Sequence, residues 1–159
     1  MTPLANISVV EIVLDDLKTA TGKIAIFVEE SGKLDQAARR INRLSKGALE
    51  RLASSQRFAD AAAGYVLEMM FPAGPDAEAV LIAKLDRRAD AYTARLAGAN
   101  LAKAAGKGKL VVAAGPHPKA ADIGEGIALR NYSFQDQKSD PKPNPLDVTL
   151  MVSKPDDVT

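Results

Sequence analysis

The chain alternates short apolar runs, rich in Val, Ile and Leu, with longer alanine-rich segments whose apolar residues recur every three or four positions. Continuous or alternating apolarity suits strands and a period near 3.6 suits helices, so the alternation predicts an α/β sheet covered by helices. Ile7 to Leu14 reads as a first strand ended by Asp15 and Asp16, and Lys23 to Glu29 as a second closed by Ser31 and Gly32. From Leu34 to about Phe58 the pattern is helical, with Ala37, Ile41, Leu44, Ala48 and Leu52 forming the stripe to be buried. Gly47 stands inside that stripe, at a cost of about 1 kcal/mol relative to Ala. Two helices broken near Ser45-Lys46-Gly47 are therefore expected rather than one rod.

Gly64 to Phe71 and Ala77 to Leu85 flank a Pro/Gly/Asp cluster, which predicts a hairpin. Asp86 is the expected cap of the next helix, with Tyr92, Leu96 and Ala99 along one face and Gly106-Lys107-Gly108 at its end. Leu110 to Ala114 is short and wholly apolar, as a strand buried on both faces should be. Ala120 to Tyr132 makes a further helix with Ile123, Ile127 and Ala128 inward, and Gly124 and Gly126 inside it suggest close packing. The three prolines of Asp140 to Pro145 exclude helix and central strand and predict a rigid, exposed loop. Val148 to Val152 is a last strand, and Lys154-Pro155-Asp156-Asp157 reads as an exit from the domain.

Composition narrows this only in places. A chain of 159 residues with 47% hydrophobic and 26% charged residues fits one globular domain, residues 1–159. Aromatics make up 4%, so the core must be aliphatic. Lys plus Arg number 21 against 20 Asp plus Glu, a net charge of +1 with no global field to attract nucleic acid or a membrane surface. There is no Cys, which excludes disulfides and thiolate chemistry and agrees with a cytoplasmic location. The first residues carry no signal-peptide pattern, and no apolar run approaches the roughly 20 residues of a membrane span.

Candidate chemistry fails on residue type or spacing, so no catalytic, cofactor-binding or metal-ligating residue is expected here. His117 is the one histidine and cannot alone supply the three or four ligands of a zinc site. Between Pro116 and Pro118 it reads as a loop histidine, and no serine sits in a G-x-S-x-G elbow. The pairs Asp15/Asp16, Glu29/Glu30 and Asp156/Asp157 are adjacent in sequence, which in extended chain points them to opposite sides. Gly115 follows a strand and precedes a helix, as a phosphate loop would, but Pro116 and Pro118 remove two amide donors. Arg39, Arg43 and Lys46 share one helical face, roughly opposite Ile41 and Leu44. A solvated face is the plain reading; the alternative is a patch that contacts DNA phosphates.

Taken in order, these pieces resemble the N-terminal domain of the leucyl aminopeptidase (cytosol aminopeptidase) family. Gly124 to Phe134 is similar to the family's E-G-x-x-L-x-x-Y-x-F helix, followed by a basic segment matched by Lys138. Lys46-Gly47-Ala48-Leu49, then Arg57-Phe58, resembles its glycine-started helix and the phenylalanine before the next strand. Val80 to Ala83, a helix, and then LVVAA follow the family order, so the likeness runs from about Ile7 to Val152. Two segments depart from it: Ala83-Lys84-Leu85-Asp86 replaces Gly-Leu-Gly-Lys, and Gln135-Asp136-Gln137-Lys138 replaces Asp-x-Tyr-Lys. The resemblance implies a macro-domain-like three-layer fold, a mixed sheet flanked by helices. It also implies that two divalent metals, zinc or manganese, and the peptidase chemistry belong to a separate C-terminal domain. The partners implied are that catalytic domain and a hexamer of like chains, and DNA for some bacterial members. An ADP-ribose-type ligand follows from fold analogy alone.

Overall fold

The computed structural model describes residues 6–70, 76–106, 108–136 and 146–157. Six strands build one sheet: β1 (Asn6–Glu11), β2 (Lys23–Val28), β3 (Val66–Met70), β4 (Ala79–Lys84), β5 (Gly108–Gly115) and β6 (Leu146–Val152). The helices are α1 (Asp16–Thr19), α2 (Gln36–Leu44), α3 (Ala48–Ala53), α4 (Gln56–Asp60), α5 (Ala91–Ala105) and α6 (Ala120–Asp136). Strand order is β1-β6-β5-β2-β4-β3, all neighbours parallel except the antiparallel β3/β4 pair. The sheet is therefore mixed. Its central strands are covered on both sides, which explains their near-continuous apolar sequence: every residue of β4 is buried, as are five of the six in β2.

Alternation along the strands sorts the core into two halves. Ala25, Phe27, Leu81, Val112 and Leu150 face α5 and α6. Ile24, Ile26, Val80, Ile82 and Ala113 face α1 to α4, where they meet Leu17, Ile41, Leu49 and Phe58. The result is three layers, with the sheet in the middle, as the family resemblance implies.

The helical break occurs where expected. Lys46 (φ 57°) and Gly47 (φ 85°) take successive left-handed conformations, which Gly tolerates at no steric cost and which turn α2 into α3. A second break, at Ser55, separates α4; its hydroxyl caps Phe58 N–H at 3.2 Å. Other expectations need correction. The first strand ends at Glu11, and Asp16 opens the short α1 instead of lying in a strand-end turn. Asp90, not Asp86, caps α5, through Thr93 N–H at 2.7 Å. The Tyr92/Leu96 face of α5 is turned to solvent; Ala94, Ala97, Gly98, Leu101, Ala102 and Ala105 are the buried ones. Apart from Leu101 these are Ala and Gly, whose small size lets α6 approach closely. The 140–145 loop and Lys138 lie outside the described residues, as does most of the β3–β4 connection.

Candidate functional site

The loop after β2 leads to α2 on one side of the sheet, whereas the loop after the adjacent β5 leads to α6 on the other. Neighbouring strands whose exits diverge leave a crevice at their carboxyl ends, the place where open α/β sheets take ligands. Two cavities of about 350 Å³ each occupy that edge and share Pro116 and His117. One lies beside the start of α6, against Gly115, Ala120, Ala121, Ser153 and Lys154. The other lies between the β2 and β4 exits, with Phe27, Leu34 and Leu85 as apolar walls. Its charged lining is Glu29, Lys33, Asp35, Arg39 and Arg87.

The rim is held by reciprocal contacts. Glu30 N–H donates to Asp86 Oδ1 at 2.7 Å and Arg87 N–H to Glu29 Oε1 at 3.3 Å, so the exits of β2 and β4 are tied to each other. Asp35 Oδ1 accepts Ala38 N–H at 2.8 Å as the N-cap of α2. Burial pushes the Asp35 carboxyl up, opposed by the Ala38 hydrogen bond and by the nearby Arg39 and Arg87.

His117 is 8% exposed, more enclosed than a loop histidine flanked by prolines would suggest. Its Nδ1 accepts Lys119 N–H at 3.0 Å, which leaves Nε2 as the protonated nitrogen, donating to Asp86 O at 3.2 Å. The ring lies 5.8 Å from Phe27 at a 49° tilt. Burial holds its pKa below the usual 6.5, helped by Arg87 and opposed by the Asp86 carbonyl. A neutral His117 is thus part of the fold, and protonation would remove the Nδ1 acceptor. Since the unfolded chain binds the proton more readily, stability should be full above pH 6.5 and decline as pH falls from there towards the lower folded value. Denaturant titrations across that window should show this slope in the native chain and its loss in His117→Gln. An unchanged slope in the variant would refute it.

Of the basic residues read from the sequence, Arg39 lines the cleft, whereas Arg43 and Lys46 are exposed and line neither cavity. Arg40 pairs with Asp15 at 2.7 Å instead. Among the described residues, no group of three or more His, Asp or Glu side chains is placed to hold a metal ion. Nor is any described helix long and apolar enough to cross a membrane. Lys33, Asp35 and Arg87 escaped sequence reading because their role depends on which strand exits adjoin.

The fold is macrodomain-like. It superposes on a Trypanosoma brucei macrodomain in complex with ADP-ribose with a TM-score of 0.64, at 13% identity over 95% of this chain and 65% of that one. A mutant Oceanobacillus iheyensis macrodomain with ADPR gives 0.63 at 14% identity, covering 96% of this chain and 86% of that one. Sequence is more specific. Residues 25–141 match the cytosol aminopeptidase family, N-terminal domain, and the chain belongs to that family. It is 42% identical to a probable cytosol aminopeptidase of Cereibacter sphaeroides over 91% of its length, which is 30% of that relative. A second, from Dinoroseobacter shibae, is 39% identical over 99% of the chain and 32% of the relative. The chain thus spans about a third of the curated relatives it matches.

Proposed function

We propose that this chain is the non-catalytic N-terminal domain of a cytosol aminopeptidase, which packs on a separate catalytic domain and shapes assembly and access to its active sites. The observation that carries this reading is the match of nearly the whole chain to only the matching third of two probable aminopeptidases. On this family reading, zinc or manganese and the release of N-terminal residues belong to the catalytic domain. A hexamer and a cytoplasmic location go with the same reading. The chain alone should not turn over leucine p-nitroanilide with Mn²⁺ or Zn²⁺ added, and metal-dependent turnover would overturn the proposal.

The cleft favours a second reading, in which the domain also binds a small ligand at the sheet's carboxyl edge. Its support is the position of the cavities between diverging strand exits, on a fold whose solved neighbours include ADP-ribose complexes. For DNA contact through Arg39, Arg43 and Lys46 the support is only that all three side chains are exposed.

A further inference from the structure

Anions in α/β folds are ordinarily taken by a helix N-terminus, where free amides and the helix dipole converge. At this cleft both candidate termini are already partly occupied. In the loop into α6, Pro116 and Pro118 have no N–H. The N–H groups of His117 and Ala120 donate to Ala114 O and His117 O at 3.1 and 3.2 Å, and that of Lys119 to His117 Nδ1 at 3.0 Å. Asp122 in the first turn of α6 pairs with Arg95 of α5 at 3.6 Å. At α2 the Asp35 carboxylate occupies the cap. Glu29, the other acid of the lobe, is engaged with Arg87 N–H. Lys33, Arg39 and Arg87 are different: their side chains are exposed, line the same lobe, and form no ion pair among the described residues.

We propose that this lobe binds a small organic anion, a phosphate or carboxylate held by the side chains of Arg39, Arg87 and Lys33. The apolar body of the ligand lies against Leu34, Phe27, Leu85 and the neutral His117 ring, and any uncharged extension runs toward Ser153. Guanidinium groups suit either anion, since their paired donors match two oxygens at once. The cleft's anion pole is thereby assigned to the β2 and β4 exits, where the three cationic side chains converge. The proposal rests on the ligand-binding reading of the cleft and is independent of the aminopeptidase assignment.

The test is an NMR titration of the labelled chain with ADP-ribose, benzoate and uncharged adenosine. ADP-ribose or benzoate should shift the amides of 33–39 and 85–87, with adenosine far weaker. Binding of ADP-ribose alone identifies a phosphate source, and of benzoate alone a carboxylate source. Charge-assisted bonds of this kind imply that Arg39→Ala/Arg87→Ala raises Kd by at least about tenfold. Arg39→Lys/Arg87→Lys should recover part of the loss, and both pairs should keep the native melting temperature, because the replaced side chains are exposed. If adenosine binds as tightly as ADP-ribose, or the Ala pair keeps its affinity, the cleft remains a ligand site and the anion pole is wrong. If no probe shifts any cleft amide, both readings fall.

Discussion

Gly126→Ala is expected to destabilise the chain by about 3 kcal/mol, the upper range for forcing extra atoms into a packed core. A Cβ at Gly126 would stand 2.0 Å from the Arg95 carbonyl oxygen, and one at Gly98 would stand 2.0 Å from the Ile123 carbonyl oxygen. Gly98 of α5 and Gly126 of α6 thus each receive a backbone carbonyl of the other helix, and neither obstacle is a side chain that can rotate away. Helix propensity works in the opposite direction, because Gly→Ala inside a helix ordinarily gains about 1 kcal/mol. A net loss therefore reports the steric term directly. The helices must separate, and separation also loosens Ile123 and Ile127 from the core they share with Leu101. Once one substitution has moved the helices apart, the second meets less resistance, so Gly98→Ala/Gly126→Ala should cost less than the sum of the single changes. Urea unfolding of the three variants measures this. Wild-type or higher stability in Gly126→Ala would mean that α5 and α6 are not in this close contact.

Lys84→Met should cost about 2–4 kcal/mol, the range for leaving strongly bonded buried polar groups without a partner. Lys84 is 4% exposed in the middle of the molecule, yet its ammonium has no acidic partner among the described residues. It donates instead to the carbonyls of Phe58, Ala59 and Ala61 at 2.9, 3.2 and 2.8 Å, and lies 4.9 Å from the Phe58 ring centroid. Those carbonyls close the C-terminal end of α4, where the helix dipole is negative and a cation is favoured. Three donors meet three acceptors, so the charge needs no counter-ion. Met keeps the length and apolar stem of the side chain but takes the donor from the Ala59 and Ala61 carbonyls, while the Phe58 carbonyl keeps the Ala61 N–H at 3.1 Å. Arg brings a wider planar group into space shaped for an ammonium, and should lose stability as well. A loss under about 1 kcal/mol for Met, typical of an exposed site, would show that water replaces the ammonium at no penalty.

These two features differ in how far the chain announces them. Gly124 and Gly126 within an amphipathic pattern already suggest close packing, though only Gly126 meets a backbone; Gly124 sits 3.3 Å from a Leu150 methyl. Lys84 gives no warning. A lysine ending an apolar run reads as the solvent end of a strand, and its burial follows only because α4 folds back over β4.

What the sequence determined by itself is the set of local periods and interruptions. The unbroken apolar run of β5, the helical stripe through Ile41, and the Lys46-Gly47 break all follow from forces that act within a few residues, and the family likeness rests on their order. Tertiary structure alone decided which strands adjoin. It turned Tyr92 and Leu96 outward by bringing α6 against the small face of α5, enclosed His117, and brought Arg39 of α2 and Arg87 of the β4 exit to one lobe. The physical reason is that the cleft depends on the divergence of two neighbouring strand exits. That divergence is set by sheet order between segments more than 50 residues apart in the chain, which no local pattern encodes.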